Sequence, residues 1–143
     1  VTVKTTSATS YTATKLSTAT TYKFRVRAYK SVKGTKTYGS YSATVTTTTK
    51  TSAPVITVKA GTKKATVTWK KVKGATGYEV YRSRKKTSGY KKVATAKKAS
   101  TVKFTSTKLT KNKTYYFKVR TYRTVNGKKV YSDFSKVKSV KVK

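Results

Sequence analysis

The sequence repeats itself. Displaced by 93 positions, Leu16 falls on Leu109, Tyr22 on Tyr115, Phe24 on Phe117, and Val26-Arg27 on Val119-Arg120. Tyr29, Val32, Gly34 and Tyr38 likewise fall on Tyr122, Val125, Gly127 and Tyr131, with 15 identities in the 33 positions between residues 10 and 42. A chain of 143 residues with that period holds one whole module and part of another. Residues 1–50 are read as the C-terminal half of a repeat and residues 51–143 as a complete domain. The beginning of the first copy would lie about 42 residues ahead of Val1. The join is the run Thr46-Thr47-Thr48-Thr49-Lys50-Thr51-Ser52-Ala53-Pro54, whose proline suits the start of a strand, where no N–H is needed.

Within the complete copy, apolar and polar residues alternate with a period of two. Ala65, Val67 and Trp69 share one parity and Lys64, Thr66 and Thr68 the other. Tyr78 and Val80 alternate with Glu79 and Tyr81, and Tyr115, Phe117 and Val119 with Tyr116, Lys118 and Arg120. Turn signals separate these runs: Lys73-Gly74, Thr76-Gly77, Ser88-Gly89, Lys111-Asn112 and Asn126-Gly127, the last a favoured two-residue hairpin turn. No stretch carries helical apolar spacing. Seven strands are expected, at about 54–59, 63–70, 77–84, 89–95, 100–106, 113–124 and 130–142. This is an all-β chain, with a core expected from Val67, Trp69, Tyr78, Val80, Leu109, Tyr115, Phe117 and Val119.

Charge pulls the other way. The chain has 36 Lys and Arg against 2 acids, a formal net charge of +34, and a mean hydropathy of −0.64. Such a composition approaches that of disordered chains, but 12 Tyr, 4 Phe and 1 Trp supply the aromatics that those lack. There is no cysteine, so neither a disulfide nor a thiol is on offer. Methionine is absent as well, which leads us to expect a processed or truncated chain. No stretch is long and apolar enough to span a bilayer, and the N-terminus lacks an apolar signal core.

The inventory argues against an enzyme. Without His or Cys the usual nucleophile–base pairs and transition-metal sites cannot be assembled, so no cofactor and no metal is expected. The only acids are Glu79, in the middle of a strand, and Asp133, expected at the start of the last one. They do not make a carboxylate pair with support. Glu79 is expected on the outer face beside Lys118 or Arg120, where opposite charges across strands fix register.

Ala65-Thr66-Val67-Thr68-Trp69, then Gly77-Tyr78-Glu79-Val80-Tyr81-Arg82, then Leu109 followed six residues later by Tyr115-Tyr116-Phe117-Lys118-Val119-Arg120, resembles a fibronectin type III domain. The pattern is similar in particular to the Lys- and Tyr-rich versions found in tandem in surface proteins of Gram-positive bacteria. The resemblance covers residues 51–143 and the back half of a preceding copy. It implies an immunoglobulin-like β-sandwich of seven strands, and a corner hydrogen bond of Tyr115 to nearby backbone. It also implies that residues 1–50 lack the first three strands. They would leave Phe24 and Val26 exposed, an open half-sandwich not expected to stand alone. The hairpin Asn126-Gly127-Lys128-Lys129 occupies the loop that bears an integrin-binding motif in some relatives, but no carboxylate follows the glycine here. Asn112-Lys113-Thr114 has the form of a glycosylation sequon, too short a match to carry a site.

The basic surface remains. Lys23, Arg25, Arg27 and Tyr29 share the outward parity of one strand, and Tyr116, Lys118, Arg120 and Tyr122 that of its counterpart. Arg123, Lys128 and Lys129 extend the field. Cations interleaved with aromatics suit a polyanion, although Tyr and long cations are also good residues for a solvated sheet face. Charge of one sign at this density repels itself over a screening length of about 8 Å, so anions are expected in its setting. The expected role is a non-catalytic structural or interaction module of a secreted or cell-surface bacterial protein. Its expected partners are an anionic wall or extracellular polymer and copies of itself. A nucleic-acid-binding protein and an accessory domain of a larger extracellular enzyme are the alternatives.

Overall fold

The computed structural model describes residues 1–3 and 7–143. Twelve strands and no helix run through the described residues: β1 (Thr21–Phe24), β2 (Tyr29–Val32), β3 (Thr35–Tyr38), β4 (Val45–Thr48), β5 (Ile56–Gly61), β6 (Lys64–Trp69), β7 (Gly77–Ser83), β8 (Lys91–Ala96), β9 (Lys103–Ser106), β10 (Thr114–Val125), β11 (Lys128–Tyr131) and β12 (Lys138–Lys141).

From Ile56 onward these strands form two antiparallel sheets. One has the order β5-β6-β9; in the other β10 pairs with β7 on one edge and with β11 and β12 on the other, and β8 lies beyond β7. The alternation read from the sequence directs one parity of each sheet inward. Ile56, Ala65, Val67 and Trp69 meet Tyr78, Val80, Phe117 and Val119, with Leu109, Tyr115 and Val142 closing the ends. All eight expected core residues are in this cluster. The indole of Trp69 packs at 5.2 Å from the ring of Tyr78. Non-directional burial of these side chains is the main force holding the sheets together.

Gly77 opens β7 because nothing larger fits there. A Cβ at that point would overlap the Ala96 carbonyl oxygen and sit 2.6 Å from the Tyr122 hydroxyl oxygen. The Tyr122 ring occupies that space, which buries it although its parity points away from the core.

The expected last strand, 130–142, is interrupted. It becomes β11 and β12, both on the same edge of β10, with Ser132–Val137 between them. The reason is chemical: the Ser132 and Ser135 hydroxyls accept the Thr121 and Val119 N–H groups at 2.9 and 3.0 Å, so side chains replace backbone carbonyls in the ladder. Counted as one interrupted strand, it is the seventh of the sandwich. Asp133 therefore lies in the interruption rather than at the start of a strand.

Residues 16–48 follow the pattern of residues 109–141 at the same offset of 93. Tyr22 pairs with Thr47 as Tyr115 pairs with Val140, and Tyr29 with Tyr38 as Tyr122 with Tyr131. The turns match too: Lys33-Gly34 and Asn126-Gly127 all have positive φ, at 46°, 82°, 48° and 75°. Even the serine substitution recurs, since the Val26 N–H donates to the Ser42 hydroxyl at 3.0 Å.

The corner hydrogen bond is present in both. The Thr110 N–H donates to the Tyr115 hydroxyl at 3.1 Å, and the Ser17 N–H to the Tyr22 hydroxyl at 2.9 Å. Removing one such bond costs about 1 kcal/mol. Tyr115→Phe is expected to lower the unfolding free energy by that amount, read as a lower urea midpoint at an unchanged slope; a neutral result would show that the corner contributes nothing.

At the join, Ala19 packs against Gly74 and its carbonyl accepts the Arg123 guanidinium at 2.5 Å. The Thr51 and Thr121 hydroxyls are hydrogen-bonded in a buried position nearby.

Candidate basic binding surface

Glu79 and Arg120 are directly opposed across β7 and β10, and both side chains point away from the core. The Arg120 guanidinium grips one carboxylate oxygen twice, from Nη2 at 2.8 Å and Nε at 3.0 Å, while the Tyr81 hydroxyl donates to the same oxygen at 3.1 Å. The other oxygen faces Lys92 Nζ at 3.4 Å, Lys129 Nζ at 3.7 Å and the Tyr131 hydroxyl at 3.4 Å. The carboxylate is covered so well that its side chain is 1% exposed on what was expected to be an open face. Burial raises the Glu79 pKa, but the hydrogen bonds from Arg120 and Tyr81 and the charges of Arg120 and Lys92 outweigh it, leaving the group below its ordinary value of 4.5. Lys118 is not a partner of Glu79; it stands opposite Tyr81.

Over this carboxylate lies a layer of cations on rings. Arg120 sits 3.8 Å from the centre of the Tyr131 ring, and Lys118 lies between Tyr90 and Phe134 at 4.3 and 4.1 Å. Lys129 is 4.3 Å from the Tyr122 ring centre. Ring faces carry negative potential, so each contact holds a cation in place without neutralising it. Lys128 is exposed at the hairpin tip.

The first copy repeats the layer without the acid. Arg27 lies over Tyr38 at 3.7 Å and Arg25 over Tyr41 at 3.8 Å, at the positions of Arg120 on Tyr131 and of Lys118 on Phe134. All four of these first-copy side chains are exposed, as is Lys23. No acid occurs in residues 1–50.

The eight cations singled out from the sequence thus divide. Arg120 is bound to Glu79 and Arg123 to the Ala19 carbonyl, so both have structural partners. Lys118 and Lys129 remain partly solvent-facing, and Lys23, Arg25, Arg27 and Lys128 are open. Sequence reading missed Tyr38, Tyr41, Tyr131 and Phe134 as the rings that hold these cations. Their signal was the shift of 93 itself, which places Tyr41 on Phe134. The remaining concavities are shallow: one of about 290 Å³ is lined by Pro54, Val55, Ile56, Phe134 and Lys138. Among the described residues no three His, Cys, Asp or Glu side chains come together to hold a metal.

Two antiparallel sheets closed over one apolar core define an immunoglobulin-like β-sandwich. Solved structures narrow this further: the fold is that of fibronectin type III domains. An Fn3-like protein from Clostridium thermocellum superposes with a TM-score of 0.51 at 25% identity, over 65% of this chain and 91% of that one. The FN1–FN3 domains of chicken CNTN1 match 93% of this chain and 45% of their own, with a TM-score of 0.53 and 20% identity. A β-1,2-glucanase from Parabacteroides distasonis gives 0.55 at 22% identity, over 64% of this chain but only 12% of the glucanase. No protein-family model and no curated protein matches the sequence.

Proposed function

We propose that this chain is a non-catalytic spacer and interaction module of a secreted or cell-surface bacterial protein. Its repeats follow one another in tandem and hold an anionic wall polymer or polysaccharide on their cation–aromatic faces. The observation that carries this reading is the recurrence of ring-held cations at equivalent positions, Arg25 and Arg27 in one repeat and Lys118 and Arg120 in the next. A row of cations fixed at a repeating interval suits a polymer with a repeating charge, and rings can stack on sugars. The Lys- and Tyr-rich pattern similar to tandem domains of Gram-positive surface proteins supports the setting.

The chemistry divides the labour between the repeats. Arg120 already serves Glu79, so the polymer is held mainly by Lys23, Arg25, Arg27, Lys118, Lys128 and Lys129. With purified teichoic acid as probe, Arg25→Ala with Arg27→Ala is expected to weaken binding by about tenfold and to flatten its salt dependence. Arg120→Lys, which keeps the charge, should change affinity less than threefold. Equal binding by the double variant would overturn the assignment. Preference for single-stranded DNA over teichoic acid at matched charge would favour the nucleic-acid reading instead, since stacked aromatics also hold bases.

A further inference from the structure

Along β7 the inward parity begins with Tyr78 and Val80 and then turns basic. Arg82 is the last inward residue of the strand, and Arg84 follows two residues on. The change comes where the sandwich ends. Arg82 is half-buried there and reaches across to the opposite sheet, where its Nη1 donates to the buried Ser106 hydroxyl at 2.6 Å. Its guanidinium carbon lies 5.4 Å from the centre of the Tyr115 ring, and that of Arg84 lies 4.9 Å from the same centre. Arg84 Nη1 also faces the Tyr115 hydroxyl at 3.4 Å.

Two guanidinium groups brought to one ring repel each other, and no carboxylate offsets that repulsion. The chain has two acids, and both are engaged elsewhere: Glu79 by Arg120, Lys92 and Lys129, and Asp133 by Lys50. Among the described residues, Arg82 and Arg84 donate only to the Ser106 and Tyr115 hydroxyls, which leaves their other N–H groups open to a ligand. The pair is also held in position. Between them, the Ser83 hydroxyl donates to the Ser88 carbonyl at 2.5 Å and accepts the Lys85 N–H at 2.9 Å, which folds the following loop back onto the end of β7. Donors fixed in advance lose less freedom when a ligand arrives.

We propose that Arg82 and Arg84 form a discrete site for a phosphate monoester at the Tyr115 end of the sandwich. Each planar guanidinium can present two parallel N–H groups to phosphate oxygens. A pair of cations matches a group that carries nearly two negative charges at neutral pH, as a phosphate monoester does, better than the single charge of a diester or a carboxylate. The inward parity of Arg82 sets the site apart from the cation–aromatic face, which lies on the outward side of β7 and β10. The running backbone of a phosphodiester polymer is the poorer fit here, so the site does not rest on the polymer reading.

The test titrates the full chain with methyl phosphate at about 0.15 M salt and follows the arginine Nε–Hε resonances by NMR. The Arg82 and Arg84 signals are expected to shift together and to saturate, with dimethyl phosphate bound about tenfold more weakly. Arg84→Gln, at an exposed position, is expected to weaken methyl phosphate binding by about tenfold. Arg82→Lys keeps the charge but loses the fork and should weaken it by about threefold or more. Arg25→Ala with Arg27→Ala should leave it unchanged, so failure of the polymer reading and failure of this site are read separately. Shifts that rise without saturating, equally at all arginines, would reduce the effect to the general field of a chain at +34 and overturn the site. Undiminished affinity in Arg84→Gln would overturn it too, and equal affinity for methyl and dimethyl phosphate would overturn the assignment to a monoester.

Discussion

Phe117→Ala is expected to destabilise the protein by about 3–5 kcal/mol, whereas the same change at Phe24 should cost less than about 0.5 kcal/mol. The two residues occupy the same place in the repeat, on strands of the same register. What separates them is what lies above. Phe117 is fully buried in one core with Val67, Trp69 and Val80, and truncation there removes both transfer energy and contacts that no neighbour can replace. Phe24 keeps 37% of its surface in water, so its loss opens no cavity. Against a typical domain stability of 5–15 kcal/mol, the first change leaves a marginal fold and the second leaves none of the unfolding transition altered. Urea denaturation followed by Trp69 fluorescence reads the first, and amide hydrogen exchange in residues 16–48 reads the second. Equal losses at the two positions would mean that residues 16–48 already own a closed core, contrary to their exposure.

The core was legible because a strand's side chains alternate strictly, so one parity assignment at Trp69 fixes Val67 and Ala65 with it. The corner was legible from the resemblance, in the spacing of Leu109 and Tyr115. The fate of Arg120 was only half visible. Parity placed it beside Glu79, but the burial of that carboxylate depends on Tyr131 and Lys129, some 50 residues further along the chain, and on the register that folds β11 back over β10. Arg123 was assigned to the outer field on charge, yet the carbonyl it serves belongs to Ala19, 104 residues away. The split of the last strand escaped for a different reason. Ser132 and Ser135 satisfy the β10 amides through their hydroxyls, and a serine that does this looks in sequence like any polar residue of a strand. Local pattern carries local geometry; partners set by pairing over long separations do not show in it.

Glu79→Gln is expected to lower stability at neutral pH by about 2–3 kcal/mol and to weaken its dependence on acid pH. Breaking a buried ion pair from one side costs about 3–5 kcal/mol, and the partial exposure of Arg120, Lys92 and Lys129 reduces that figure. Glutamine keeps the shape and one acceptor but leaves three cations crowded on a neutral group in a chain already at +34. The sign of the pH effect follows from the lowered pKa. A carboxyl that ionises more readily in the folded state stabilises it fully above the unfolded value of about 4.5, and the contribution fades as pH falls through the lower folded value. Asp133 is 81% exposed in a surface pair with Lys50, and exposed pairs of this kind contribute little to stability. Melting curves between neutrality and about pH 2.5 should show a decline below pH 4.5 in the parent chain that is shallower in Glu79→Gln. Parallel declines in both would show that the carboxylate under Arg120 is not the group that titrates, and that the ion pair at the centre of the basic face does not hold it together.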